Sequence, residues 1–339
     1  MLMTNNRTIK YFNCFRQKIL SLEVSDFDKL ALDIFRFQAE NNVVYSEYLK
    51  FRKIPFQEVD FVEQIPFLPI EFFKKHQVIC GNPKDFEGFY SSSGTTGVQT
   101  SRHYYWKEDF YLQHSLNLFE KEYGSIEDFH ILALLPSYLE RKGSSLVRMT
   151  DYFITRSNSK HSGYYLYNQR ELVEKLHDLK DDPRKILLLG VTFALLDLAE
   201  SGLKIPENKN FFVMETGGMK GRRREMIREE VHDILQGSFG ISQVHSEYGM
   251  TELMSQAYSI GEGKYNLPPT MRVLLRDIND PLSLTFRSQG GINIIDLANF
   301  HSCSFIETQD LGKKGHDGSV EVLGRFDNSV IRGCNLMVN

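Results

Sequence analysis

Between residues 129 and 245, short apolar runs alternate with amphipathic ones, and that alternation restricts the fold more than anything else in the chain. Phe129 to Leu135, Ile186 to Leu189, Phe211 to Met214 and Ile241 to His245 read as strands. Between them, Ser144 to Arg156, Glu171 to Leu179, Phe193 to Glu200 and Arg223 to Gln236 read as helices. Leu172, Leu176 and Leu179 share one face of the second, and Ile227, Val231 and Ile234 are in register on the last. The expected fold class is therefore α/β, a mostly parallel sheet covered by helices.

The flanks have a different texture. Residues 16 to 51 place Ile19, Leu22, Phe27, Leu30, Ile34, Phe35 and Phe37 at mostly helical spacing, with a break and a candidate N-cap at Ser25. Two prolines in Ile65-Pro66-Phe67-Leu68-Pro69-Ile70 force extended chain before a short helix begins at Phe72 and Phe73. After residue 265 come short strands with tight turns: Met271 to Arg276, Leu284 to Arg287, Ile292 to Ile295, Ser304 to Glu307 and Ser319 to Leu323. This predicts a helical start and α/β part over 1–264 and a smaller β-rich subdomain over 265–339. With no repeat, low-complexity tract or linker between them, 1–339 reads as a single domain with two lobes.

Composition excludes several function classes. At 339 residues and 41% hydrophobic content the chain can bury a large core. A net charge of −4 supplies no basic field, so no nucleic acid is expected as a partner. In the one dense basic run, Lys220 to Arg224, the stretch Arg222 to Arg224 reads as a solvated face opening a helix. Cys14, Cys80, Cys303 and Cys334 lack CxxC or His spacing, which argues against zinc and disulfides and for a reducing compartment. The start is polar and no apolar run approaches the roughly 20 residues of a membrane helix. A cytoplasmic protein without signal peptide or membrane span is expected.

The chemistry sits in four short motifs. Gly, Ser and Thr dominate Tyr90-Ser91-Ser92-Ser93-Gly94-Thr95-Thr96-Gly97, so backbone N–H groups and hydroxyls can close around a polyphosphate with no bulky side chain in the way. No Lys follows the second glycine, so this is not the GxxxxGK[ST] pattern, and by itself the run is also consistent with a polar turn. Ser246-Glu247-Tyr248-Gly249-Met250-Thr251-Glu252 follows a predicted strand, where open α/β sheets bind ligands. Gly249 lets the backbone approach a planar ring, Tyr248 can stack on a base, Thr251 can donate to a phosphate oxygen and Glu252 can hold Mg²⁺ between phosphates. Thr308-Gln309-Asp310-Leu311-Gly312 and Gly324-Arg325-Phe326-Asp327, leading to Ile331-Arg332-Gly333, complete the set. Asp310 can accept from both hydroxyls of a ribose, with Arg325 adding donors.

These four motifs, in this order over residues 90 to 333, resemble the SSGTTG, YGxTE, TxDLG and GRxD motifs of the adenylate-forming (ANL) superfamily, whose members join a carboxylate to AMP and then pass the acyl group to a thiol. Gly217-Gly218 resembles the family's glycine pair against adenine, and Gly190-Val191-Thr192-Phe193 the segment that walls the carboxylate pocket. Within the superfamily, Ile65 to Lys74, Tyr90 to Ser93, Thr216 to Gly221 and the short length resemble the LuxE-type acyl-protein synthetases. The resemblance implies the superfamily's N-terminal domain without the usual C-terminal domain and its catalytic lysine, because the sequence stops soon after Gly333.

It further implies ATP and Mg²⁺, a fatty or other apolar carboxylic acid as substrate, and transfer of the acyl group to a cysteine of the protein or of a partner such as a reductase or acyltransferase. The expected nucleotide-binding residues are Ser92, Ser93, Gly94, Thr95, Thr96, Gly97, Gly217, Gly218, Tyr248, Gly249, Asp310 and Arg325. Glu252 is the expected metal ligand, and Thr251, Glu252, Cys334 and His245 the expected catalytic residues. Cys334 would carry the acyl group, with Arg332 lowering its pKa, against the simpler reading of a small buried thiol. His245 would lie beside the reacting carboxylate, against the simpler reading of a structural histidine. Two alternatives stand beside this one: an aryl- or acyl-CoA ligase related to phenylacetate-CoA ligase, and a non-catalytic acyl-binding or scaffold subunit.

Overall fold

Six strands form the sheet that the alternation predicts, in the order Gly163–Tyr164, Phe129–Leu134, Lys185–Val191, Phe211–Thr216, His245–Tyr248, Ala257–Ser259. The first five are parallel and the last is antiparallel to its neighbour. The computed structural model describes residues 2–92, 100–135, 143–165, 168–219, 223–224 and 226–325. The chain falls into two compact units, Asn82–Pro268 around this sheet, and Met1–Gly81 with Pro269–Asn339. The N-terminal helices thus share a unit with the C-terminal strands.

In the unit Asn82–Pro268, both faces of the central strands are covered. Leu132, Leu134, Ile186, Leu188 and Val213 meet Leu172, Leu176, Leu195, Leu198, Val231 and Leu235 from the helices Gln169–Asp178, Thr192–Glu200 and Arg228–Phe239. On the other face Phe119 of the helix Glu108–Tyr123 packs 5.4 Å from Phe129 and 5.1 Å from Phe153 between ring centroids. Each large apolar side chain so removed from water contributes roughly 1.5–3 kcal/mol, which is why a strand buried along its whole length such as Phe129–Leu134 is stable only inside two covered faces.

Two boundaries differ from the sequence expectation, and each has a tertiary cause. The strand expected over Ile241 to His245 runs His245–Tyr248 instead, because Ser242 and Gln243 are exposed and ladder pairing with Phe211–Thr216 begins only at His245. The helix expected from Arg223 starts at Arg228. Arg223 is not a solvated face: it forms ion pairs with Asp197 and Glu200 on the helix Thr192–Glu200, drawing the chain away before the next helix begins. The helix Glu108–Tyr123 and the hairpin Gly88–Ser91 with Arg102–Tyr105 complete the unit.

In the other unit, the helices Leu2–Leu20, Phe27–Asn41 and Val43–Phe51 lie with antiparallel strands Met271–Arg276, Gln289–Asp296, Phe305–Lys314 and Val320–Arg325, paired in sequence order. Leu68–Pro69 adds to Phe305–Lys314 in parallel. Phe12 and Phe15 pack on Phe300, and Phe35 on Phe305, with centroids 5.7 to 5.9 Å apart. Ser25 lies in the short 3-10 turn Val24–Asp26 and does not cap; Asn42 does, accepting from the Tyr45 N–H at 3.1 Å. Leu284 to Arg287 is not a strand. Its alternation is spent on a loop with one bridge, Leu284 to Arg276, and Phe286 is fully exposed. Cys80 and Cys303 are buried, whereas Cys14 is exposed.

Candidate functional site

The carboxyl ends of two adjacent parallel strands carry a buried polar cluster. Register places Glu215 beside Ser246 and Thr216 beside Glu247. Side chains alternate along a strand, so Glu215 and Glu247 stand on opposite faces of the sheet. The Thr192 hydroxyl donates to Glu215 Oε2 at 2.8 Å, and Arg228 Nε lies 3.6 Å and His232 Nε2 3.9 Å from Glu215 Oε1. Burial pushes Glu215 up, but His232, Arg228, Ser246 and Thr192 together outweigh it and hold the carboxyl below its ordinary range. On the other face, the Thr216 hydroxyl donates to Glu247 Oε2. Burial pushes Glu247 up to about 7, against the Thr216 hydrogen bond and aided by the charge of Glu215. The carboxyls of two neighbouring strand ends are therefore held on opposite sides of the ordinary glutamate value, an arrangement found where sites need one ionised and one titrating group.

Each strand runs from this cluster into a motif. After Thr216 comes Gly217, with φ of 85° and exposed, then Gly218, where a Cβ would have nothing within 4 Å; the pair presents bare backbone on which a flat ring can rest. After Glu247 come Tyr248, half-buried with its ring 5.7 Å from Tyr265, and Gly249. A Cβ at Gly249 would strike the Glu247 carboxylate, so the side chain folded back beneath this turn already demands glycine there. The Leu253 N–H closes the turn on the Met250 carbonyl at 3.0 Å; Thr251 is half-buried and Glu252 is 5% exposed.

Glu247 gives a pH prediction. Its folded pKa of about 7 lies above the ordinary 4.5, so its contribution to stability is complete below pH 4.5 and is lost as pH rises through 7. Glu247→Gln, which cannot ionise, is expected to gain about 2–4 °C in thermal midpoint relative to wild type between those pH values and to gain no more above pH 8. A difference that does not change with pH would show that Glu247 titrates normally.

The hairpin Gly88–Ser91 with Arg102–Tyr105 carries the glycine- and serine-rich loop at its tip. Ser92 ties the base: its N–H donates to the Ser101 carbonyl at 3.1 Å and its hydroxyl accepts from the Ser101 N–H at 2.9 Å. Ser93, Gly94, Thr95, Thr96 and Gly97 lie outside the described residues, as do Arg332 and Cys334. His245 is the first residue of its strand, roughly 10 Å along the chain from Tyr248. Its Nδ1 lies 3.3 Å from the Tyr123 hydroxyl, its ring packs on Phe212, and burial lowers it to about 4, so it is neutral at physiological pH.

In the other unit, Asp310 and Arg325 are ladder partners, with Arg325 Nε 3.6 Å from Asp310 Oδ1. The Thr308-Gln309-Asp310 motif is a bulge: Gly291 pairs with Leu311 and Asn293 with Glu307, so three residues face the single Ile292. Bulges re-aim side chains, and this one presents the Asp310 carboxylate beside Arg325. Among the described residues no three His, Cys, Asp or Glu side chains gather as a metal-holding group. A cation at Glu252 would therefore depend on phosphate oxygens and water, which suits Mg²⁺. No helix among the described residues is long and apolar enough to cross a membrane.

Sequence reasoning did not single out Glu215, Glu247 or Arg276. Glu215 near the end of one apolar strand and Arg276 at the end of another are the signal that was available: a charge placed where the pattern calls for burial.

No family model matches the chain. It is 23% identical over 91% of its length, and 86% of the other's, to the long-chain-fatty-acid–luciferin-component ligase of Aliivibrio fischeri. A 72-residue stretch is 29% identical to the ligase of the same name from Photorhabdus luminescens, covering 21% of this chain and 61% of that one. The chain resembles the LuxE-type acyl-protein synthetases over nearly its whole length. Its fold is that of adenylate-forming enzymes. A 2-hydroxyisobutyryl-CoA ligase crystallised with 2-HIB-AMP and CoA superposes with a TM-score of 0.67 at 12% identity, covering 91% of this chain and 71% of that one. ATP-bound MatB from Rhodopseudomonas palustris superposes with a TM-score of 0.52 at 17% identity over 73% of this chain. The chain spans about half of MatB, 49% of its length.

Proposed function

We propose that this LuxE-type relative is an ATP-dependent ligase that activates a fatty or other apolar carboxylic acid as acyl-AMP and passes the acyl group to a cysteine thiol. The observation that supports it most is the placement of the two sequence motifs: Gly217-Gly218 and Tyr248 to Glu252 leave the carboxyl ends of neighbouring parallel strands, joined at their base by the Thr216–Glu247 hydrogen bond. The relatives named as long-chain-fatty-acid ligases support the substrate class.

In the first step a carboxylate oxygen attacks the α-phosphorus and pyrophosphate leaves with the bonding pair. The task is to offset charge on phosphorus with positioned donors. Ser92 to Gly97 hold the departing pyrophosphate, Thr251 donates to the α-phosphate, and Tyr248 and the bare backbone of Gly217, Gly218 and Gly249 take the adenine. Glu252 would hold Mg²⁺, which supplies charge neutralisation at the phosphates when bound. Asp310 and Arg325 take the ribose diol. His245 enters only as a neutral imidazole lining the acid's site. In the second step a thiolate attacks the acyl carbonyl and AMP leaves; Cys334 is the thiol we assign, with a partner reductase or acyltransferase as onward acceptor.

The direct test is to mix purified protein with ATP, Mg²⁺ and a panel of carboxylic acids and to follow pyrophosphate. Release with apolar acids is expected. No release with any acid would favour a non-catalytic acyl-binding protein, and efficient capture by added coenzyme A would favour a CoA ligase. Asp310→Ala is expected to raise the Michaelis constant for ATP about tenfold with kcat little changed, because ribose contacts are made equally in ground and transition states. An unchanged constant would leave Asp310 as a structural residue of its bulge.

A further inference from the structure

The bulge that presents Asp310 leaves backbone carbonyls without ladder partners, and one buried side chain reaches those on both sides of it. Arg276, 5% exposed at the end of the strand Met271–Arg276, donates from Nη2 to the Thr308 carbonyl at 2.6 Å. From Nη1 it donates to the Ile292 carbonyl at 2.8 Å and to Asn293 Oδ1 at 3.0 Å. Its Nε lies 3.8 Å from Glu307 Oε1, which offsets the buried charge. The Thr308 hydroxyl donates to the same Ile292 carbonyl at 2.8 Å and accepts from the Asp310 N–H at 3.1 Å. One planar fork thus ties both sides of the bulge, a geometry that a guanidinium can satisfy and an ammonium cannot.

Gly291 makes room for it. Paired with Arg276 across the ladder, a Cβ there would come within 2.5 Å of the guanidinium carbon and 2.8 Å of Nε. Glycine at 291 and arginine at 276 therefore form one device, in which the missing side chain on one strand is the space occupied by the fork from the next.

We infer that Arg276 is the positioning residue of this bulge: by pinning the Thr308 and Ile292 carbonyls it holds the Asp310 carboxylate in the orientation that binds nucleotide. The inference rests on the reading of Asp310 as a ribose-binding residue, and its test has one arm that does not. Arg276→Lys keeps the charge and loses the fork; Gly291→Ala keeps the arginine and displaces it. In both, without nucleotide, amide hydrogen exchange over residues 306–311 is expected to quicken about tenfold or more while the rest of the sheet is unchanged. ATP affinity, measured by calorimetry, is expected to fall about tenfold in Arg276→Lys, and by no more than about twofold when the same change is made in Asp310→Ala, since the two act through one contact. Unchanged exchange at 306–311 would overturn the pinning. A tenfold loss that persists in Asp310→Ala would overturn the action through Asp310. Wild-type protein that binds no ATP sinks the nucleotide reading itself, and is recognised before any substitution is made, while the exchange arm still decides whether Arg276 pins the bulge.

Discussion

Glu252→Gln is expected to keep the fold and lose adenylation by roughly a hundredfold or more, about 2.7 kcal/mol in barrier. The amide has the size of the carboxylate, so a side chain 5% exposed is replaced without a cavity or an overpacked core. What it removes is the negative charge that a hard cation requires. Among the described residues no group of three metal-binding side chains gathers that could hold the cation without it. The measurement is carboxylate-dependent exchange of pyrophosphate into ATP, with circular dichroism and thermal midpoint as controls for folding. Exchange close to wild type would remove Glu252 from the metal site and leave it as a buried support of the Tyr248 to Glu252 turn.

Cys334→Ser is expected to leave acyl-AMP formation intact while abolishing hydroxylamine-sensitive labelling of the protein by a radiolabelled acid. A thiolate is a far better nucleophile toward an acyl-adenylate than water or a serine hydroxyl, so the substitution blocks the second step and spares the first. The other cysteines give the experiment its discrimination. Cys80 and Cys303 are buried, and burial pushes Cys80 well above the ordinary thiol range and Cys303 up to about 12, so both stay protonated and inert at neutral pH. Cys14 is exposed and is the internal rival. Label that survives in Cys334→Ser and maps to Cys14 would move the acceptor, and acyl transfer to coenzyme A alone would replace self-acylation by the CoA-ligase reading.

The two expectations differ in what the sequence could show. Glu252 belongs to a motif whose spacing is local: strand, tyrosine, glycine, hydroxyl and acid follow one another, and short-range order suffices to place them at a strand end. The same holds for the β-α alternation, where period-3.6 and continuous apolar runs record which faces are covered. Errors came where chain segments compete for distant partners. The apolar residues of Leu284 to Arg287 look like a strand but find only one bridge, and Arg223 leaves its helix for Asp197 and Glu200.

The sequence by itself determined the parallel, helix-covered sheet, the four motifs in their order and the resemblance they carry. Each of these is written in local periodicity or in contiguous residues. Only the tertiary structure decided that Glu215 and Glu247 sit on opposite faces of neighbouring strand ends with opposed proton affinities, that Thr308-Gln309-Asp310 is a bulge, and that Arg276 fills it through the space left at Gly291. Glu215 and Glu247 are set at neighbouring strand ends by register, and Arg276 reaches the Thr308 carbonyl, 32 positions away, across the intervening strand Gln289–Asp296. A proton affinity or a pinned carbonyl depends on burial and on atoms a few ångströms away, and the spacing of residues along a chain does not specify either.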